Sequence, residues 1–263
     1  MARGRVLIIA GSDSGGGAGV QADIKTVTAL GGYAATAITA ITVQNTLGVT
    51  AVQMLSPDIV EAQARAVLAD IGADAIKIGM VGEAAEAVAH VLDAWPDIPV
   101  VLDPVMIAKG GAALADARTI ETLRRQLLPR AALLTPNAPE AAALTGLTVD
   151  TTDDLRRAGE ALLRLGARAV LMKGGHIPGE RVIDVLISAA GETTLEGPRL
   201  HTRHTHGTGC TLSSACAAGL AQGLPLEIAV ARAWSYTAEA IRRAPGLGAG
   251  AGPLDHAWPM RDR

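Results

Sequence analysis

The chain has 263 residues, 49% of them hydrophobic, which is enough to bury a full core as one domain over 1–263. A formal charge of −3, scattered Lys and Arg, and 2% aromatic residues with no Phe exclude the basic patches and stacking platforms of a nucleic-acid binder. No run reaches the roughly 18 uninterrupted apolar residues of a membrane span, the start MARGRVLIIAGSDSGG turns into a glycine loop after one short apolar run and is not expected to act as a secretory signal, and two cysteines make no disulfide scaffold. A cytoplasmic protein without membrane partners is expected.

Residues 5–10 (RVLIIA) read as a buried central strand that runs into the glycine loop 11–19, GSDSGGGAG. A helix over 21–30 follows. Residues 34–43 and 49–55, rich in Thr, Ile and Val, read as strands, joined by a candidate binding turn at 44–48. Ser56 is placed to cap a helix with Pro57 at its first position and an apolar face of Val60, Ala64, Val67, Leu68 and Ile71. Residues 75–78, 100–102, 133–134 and 169–172 are short apolar strands, each leading through a loop towards a helical segment. That rhythm predicts a parallel sheet with crossover helices. Thr152 is expected to cap a helix over 153–165 whose first turn carries acids. VIDVLI and ETTLEG, separated by Ala190 and Gly191, predict an antiparallel hairpin at a sheet edge. A helix over 226–243 comes next, and the glycine-rich stretch 246–252 reads as a flexible loop.

The chemistry gathers in the loops. The loop 11–19 lies between strand and helix, where α/β proteins bind ligands. It lacks the Gly-Lys-Ser/Thr of a P-loop and the GxGxxG of a dinucleotide site. Asp103 ends one strand, and Asn137 and Glu140 follow another; these groups can hold Mg²⁺ through waters, while the same NxxE spacing also suits an Asn capping a helix. Lys173 ends the next strand, either as a cation for nucleotide phosphates or as a solvated loop residue. Gly207, Thr208 and Gly209 form a turn feeding a helix, an arrangement that binds anions. Cys210 stands at that helix N-terminus, so its pKa is expected to fall. Cys216, six residues on, reads as a buried helix residue. His201, His204 and His206 have no Cys or carboxylate to complete a zinc spacing, and His206 is expected to contact phosphate.

Taken in order, GSDSGGGAGVQADIKT, TAITAITVQNT, IKIGM, VVLDPVM, TPNAPEA, MKGGH and THGTGCTLSSA span nearly the whole chain. The set resembles the hydroxymethylpyrimidine and phosphomethylpyrimidine kinases of thiamin biosynthesis, in the ribokinase-like superfamily. The resemblance implies a ribokinase-like three-layer α/β/α sandwich, with a mostly parallel central sheet. It implies phosphorylation of 4-amino-5-hydroxymethyl-2-methylpyrimidine to its monophosphate and then its diphosphate, with ATP and Mg²⁺.

By the same resemblance, Asp23 and Gln44 hydrogen-bond the pyrimidine, and Gly11, Ala18, Val43 and Met80 line its pocket. Gly207, Thr208 and Gly209 form the anion hole, and Cys210 takes the position of the catalytic base. Lys173, Asn137 and Thr208 meet the nucleotide, and Asp103 and Glu140 serve Mg²⁺ through water. A homodimer is implied as well. A pyridoxine or pyridoxal kinase on the same fold is the nearest alternative, and a non-catalytic pyrimidine-binding regulatory protein another. The chain departs from the family pattern at His204, at Trp234 and in the tail around His256, and its length is read as leaving no room for a fused second enzyme.

Overall fold

Strict alternation along the first strand divides the core in two. The computed structural model describes residues 4–106 and 116–261. In β1 (Arg5–Asp13), Val6 and Ile8 pack on one face while Leu7 and Ile9 pack on the other, all at 1% exposure or less. On the Val6 face lie α1 (Gly19–Ala29), α7 (Thr208–Ala221) and α8 (Leu226–Arg242); on the Leu7 face lie α2 (Pro57–Asp70), α3 (Ala85–Ala94), α5 (Ala138–Thr145) and α6 (Thr152–Arg164). The short α4 (Ala117–Thr122) and α9 (Trp258–Arg261) complete the α-helices among the described residues. The result is three layers, α/β/α. No helix among the described residues is long and apolar enough to cross a membrane.

The remaining strands are β2 (Tyr33–Asn45), β3 (Gly48–Met54), β4 (Ala75–Ile78), β5 (Val100–Leu102), β6 (Ala131–Leu134), β7 (Ala169–Met172), β8 (Arg181–Ser188) and β9 (Gly191–Pro198). All nine form one sheet in the order β3-β2-β1-β4-β5-β6-β7-β8-β9. Pairings from β2 through β7 are parallel, and β8 and β9 form the expected antiparallel hairpin at one edge. The opposite edge, β3 on β2, is antiparallel too. The chain leaves β1 for β2 on one side and returns to β4 on the other, so the loops after β1 and β4 flank a topological switch point, where such sheets bind ligands.

Three local expectations change. Thr151, not Thr152, caps α6: its Oγ1 accepts the Asp154 N–H at 3.1 Å, while Asp154 accepts the Thr151 N–H at 3.0 Å. This reciprocal capping box places the start one residue earlier. Ser56 has the extended backbone of an N-cap, but its side chain makes no capping bond; Pro57 starts α2. The glycine-rich 246–252 stretch is tied down, with the Ala251 N–H on Thr46 O at 2.9 Å and the His206 N–H on Gly252 O at 3.1 Å.

Candidate active site

Four parallel strands deliver polar residues from their carboxyl ends to one crevice. Asp103 follows β5, Asn137 follows β6, Lys173 follows β7, and the glycine loop follows β1, shorter than the expected 11–19 because β1 runs on to Asp13 and α1 starts at Gly19. Gly207 caps α7 at φ +84°, a left-handed conformation, and a Cβ there would sit 1.8 Å from Gly17 O. Only glycine lets the turn come this close. A Cβ on Gly209 would lie 3.1 Å from Lys173 Nζ and 3.6 Å from Asp103 Oδ2, so the first turn of α7 meets the cation and the carboxylate at one point. The Gly209 and Cys210 N–H groups of that turn have no acceptor within the helix, an arrangement that suits an anion. Thr208 Oγ1 is donated backwards to Thr205 O at 2.9 Å, which shapes the turn.

Lys173 lies 2.8 Å from Asp103 Oδ1 and 3.7 Å from Glu140 Oε2. The capping alternative for the NxxE spacing holds. Asn137 Oδ1 accepts the Glu140 N–H at 2.9 Å and Glu140 Oε2 accepts the Asn137 N–H at 2.8 Å, a capping box on α5, and the same Glu140 carboxylate reaches Lys173. Burial pushes Glu140 up to about 7, with Lys173 pulling the other way. A single ammonium between two buried carboxylates leaves negative charge in excess. Among the described residues there is no cluster of three or more His, Cys, Asp or Glu able to cage a metal.

Sequence reasoning missed Asp184, a polar residue inside the run VIDVLI. Its Oδ1 accepts the Gly174 N–H at 2.7 Å and its Oδ2 the Trp234 indole N–H at 3.1 Å. It therefore anchors the turn that carries Lys173. Burial pushes the Asp184 carboxyl up to about 6.

Cys210 overturns the expectation of a lowered pKa. Burial pushes the thiol up to about 11; Lys77 and the Gly19 N–H favour the thiolate, while Asp23 and Asp103 oppose it. The helix N-terminus is outweighed by a packed wall and two carboxylates from other elements. Cys216 is fully buried, as expected. One helical turn after Cys210, Ser214 Oγ donates to Asp23 Oδ1 at 2.6 Å, and Lys77 Nζ reaches Asp23 Oδ2 at 2.8 Å. Both charged side chains are 0% exposed. Asp23 is thus locked between Lys77 and Ser214, with one partner on each carboxylate oxygen. The lysine inside AIKIGM was a signal that sequence reading passed over. Lys77→Met is expected to cost about 3–5 kcal/mol of stability, because it strands a buried carboxylate. Urea unfolding checks this, and Lys77→Met with Asp23→Asn should recover most of the loss; a single-variant cost below about 1 kcal/mol would refute the buried pair.

A cavity of about 220 Å³ is lined by Gln44, Asn45, Thr46, Leu47, Gly48, Val49, His206, Gly250 and Ala251. A larger cavity of about 760 Å³ lies beside α5, next to Pro139, Leu147, Ile177 and Pro178, away from Cys210 and Gln44. Gly11 and Met80 meet: a Cβ on Gly11 would lie 2.5 Å from Met80 Cε. Ala18 precedes α1 with its N–H on Asp13 Oδ2 at 2.8 Å. Val43 departs from expectation. Alternation along β2 turns Thr42 and Gln44 inward and Val43 to the other face, where it is 59% exposed. His206 does not stand free for phosphate; its Nε2 lies 2.9 Å from Asp13 Oδ2. His201 is on the surface near Glu180.

A model of the family described as phosphomethylpyrimidine kinase matches residues 13–255. The chain belongs to this family. It is 49% identical over 257 residues to the hydroxymethylpyrimidine/phosphomethylpyrimidine kinase of Streptomyces coelicolor, covering 97% of this chain and 95% of that protein. It is 48% identical to the thiamine biosynthesis bifunctional protein ThiED of Geobacter sulfurreducens over 99% of this chain, yet spans 54% of that protein's length. An ADP complex of Bacillus subtilis pyridoxal kinase superposes with a TM-score of 0.92 over 100% of both chains at 35% identity. As a member of the phosphomethylpyrimidine kinase family, the chain is an ATP-dependent phosphotransferase with a ribokinase-like fold.

Proposed function

We propose that the chain transfers a phosphoryl group from MgATP to the hydroxymethyl oxygen of 4-amino-5-hydroxymethyl-2-methylpyrimidine, and then a second to the resulting monophosphate. One observation carries the reading. The first turn of α7, Lys173 and Asp103 converge at Gly209, with Cys210 next in the chain and the Gln44 cavity across the loop 11–19.

In this site the N–H groups of Gly209 and Cys210 face the transferring phosphoryl oxygens, and Lys173 neutralises charge that grows in flight. Phosphoryl transfer has a loose transition state in most analyses, so positioning and charge dominate. Asp103 and Glu140 are hard oxygen donors with negative charge in excess, a set that fits Mg²⁺ held through waters and nucleotide phosphates. Bound there, the cation would offset phosphate charge. In the first reaction the hydroxyl oxygen bonds to phosphorus as the bond to the ADP oxygen breaks, and its proton passes to Cys210 Sγ in the thiolate form, the minor form of a thiol pushed up to about 11. In the second, the attacking phosphate oxygen is already anionic and has no proton to give. Asn137 and Thr208 border the nucleotide side, while Gln44, Gly11, Ala18 and Met80 border the pyrimidine.

The ionised fraction of Glu140 grows through about pH 7. KM for MgATP is therefore expected to fall by up to about tenfold from about pH 6 to about pH 8. Glu140→Gln, which can still accept the Asn137 N–H, should flatten that profile; an unchanged profile in the variant would remove Glu140 from the MgATP site.

The same reading includes a homodimer. Ile41, Val43 and Leu47 around the β2–β3 hairpin are 50%, 59% and 73% exposed, an apolar surface of the kind that marks interfaces. Sedimentation velocity reads the mass, and a monomer would discard this part.

A kinase assay with hydroxymethylpyrimidine that follows monophosphate and diphosphate tests the main proposal. The shared fold of the pyridoxal kinase keeps that activity as a second reading. Faster turnover of pyridoxal would overturn the first choice. No ATP consumed with either alcohol, despite stabilisation by the pyrimidine, would leave a binding protein.

A further inference from the structure

His206 joins the two halves of the site. It is 8% exposed, and Asp13 beside it is 3% exposed. His206 Nε2 lies 2.9 Å from Asp13 Oδ2 and 3.0 Å from the Gln44 side-chain amide. Asp13 also accepts the N–H groups of Gly15, Gly17 and Ala18 at 2.8, 3.0 and 2.8 Å. One carboxylate therefore ties the glycine loop to the residue just before the Gly207 turn. Gln44 and His206 both line the 220 Å³ cavity.

Counting hydrogens decides how the Gln44 amide is turned. Burial disfavours the Asp13 carboxylate, yet the His206 bond and the loop N–H groups hold its pKa below the usual range, so it is an acceptor only. His206 must carry its proton on Nε2. That N–H faces Gln44 as well, so the amide atom on this side is the oxygen, Oε1. The amide nitrogen then faces Thr42, 3.2 Å away. Thr42 gives its single hydroxyl hydrogen to Ser12 O at 2.9 Å, which leaves Oγ1 free to accept from the amide. In this orientation the His206 N–H and the amide N–H on the Thr42 side both face acceptors, whereas the reverse sets an amide N–H against the imidazole N–H.

We propose that His206, held by Asp13, is a positioning residue that fixes the Gln44 carboxamide and so selects a ring edge carrying an amino donor beside a ring-nitrogen acceptor. So fixed, the carboxamide turns one N–H and one oxygen lone pair into the cavity, side by side. The 4-aminopyrimidine edge offers the complementary acceptor and donor, and the hydroxypyridine edge of pyridoxal does not. The inference rests on the reading that Gln44 faces the pyrimidine.

The test compares kcat/KM for hydroxymethylpyrimidine and for its analogue without the 4-amino group, using the full chain. Wild type is expected to prefer the amino substrate by at least about a hundredfold. His206→Phe should cut that preference to about tenfold or less, chiefly through KM for the pyrimidine. In a Gln44→Ala background the same substitution should change the preference no further, the non-additivity of coupled residues. An undiminished preference in His206→Phe, or additive effects of the two substitutions, would overturn the proposal. Should His206→Phe not fold, Asp13→Asn releases the constraint on the imidazole proton and is expected to lower the preference likewise; full preference in that variant overturns it equally. Retained preference in Gln44→Ala would instead sink the underlying reading of Gln44.

Discussion

Cys210→Ala is expected to slow the first phosphorylation at least about a hundredfold and the second by no more than about tenfold, since a positioned proton acceptor contributes about 10²–10⁴ to a step with a proton to move. The first nucleophile is an alcohol, whose proton must leave as the bond to phosphorus forms. The second is a phosphate oxygen, already anionic at neutral pH. Alanine also keeps the helix and the α7 N–H groups, so the electrostatic part of catalysis survives in both steps. The pH profiles should separate in the same sense. With the thiol pushed up to about 11, the thiolate fraction still rises with pH across the neutral range, so the first step accelerates towards alkaline pH while the second does not depend on this group. Single-turnover measurements on each substrate read both effects. Equal losses in the two steps would mean that Cys210 shapes the site and moves no proton.

Lys173→Met is expected to slow both phosphorylations alike, by about 10²–10³, the usual loss when one preorganised charge at a transferring group is removed. Its ammonium lies 2.8 Å from Asp103 and close to Gly209, where the proposed site has phosphoryl charge pass in either reaction, and nothing about it distinguishes an alcohol from a phosphate nucleophile. Stability should fall as well. Asp103 and Glu140 are 1% and 9% exposed at the side chain, and without the ammonium two buried carboxylates face each other. A thermal melt beside the two rate measurements separates folding from chemistry. A loss confined to one of the two steps would show that Lys173 contacts the pyrimidine-side phosphate alone.

The pair of predictions rests on residues that differed in how legible they were. Asp103, Asn137 and Lys173 could be placed because each follows an apolar run, and a run short enough for a buried strand ends where the chain turns out of the sheet. Asp184 and Lys77 are charged residues within such runs. Read locally, each resembles a solvated interruption, and what makes it tolerable is a partner brought from elsewhere: Asp23 lies 54 residues from Lys77, and Ser214 lies 191 residues from Asp23. The Thr151–Thr152 pair shows a smaller limit. Two adjacent threonines are equally good caps, and only the reciprocal bond with Asp154 distinguishes them. Val43 was a different case, since alternation along a strand reaching Asn45 already sets it on the face opposite Gln44.

By itself, the sequence determined the α/β rhythm, the hairpin edge, the glycine turn at Gly207 and the order of motifs that place the chain among phosphomethylpyrimidine kinases. These are local properties: hydrophobic period, turn chemistry and the residue at a strand end. The tertiary structure alone decided the state of Cys210, the burial of Asp23, and the clamp of Asp13, His206 and Gln44. Each depends on groups from several elements acting at once. The helix field that should lower the thiol's pKa comes from α7 alone, but Asp23 of α1 and Asp103 after β5 also surround it, and desolvation exists only once the wall is packed. Charge and burial combine through space, and no spacing along the chain records that sum.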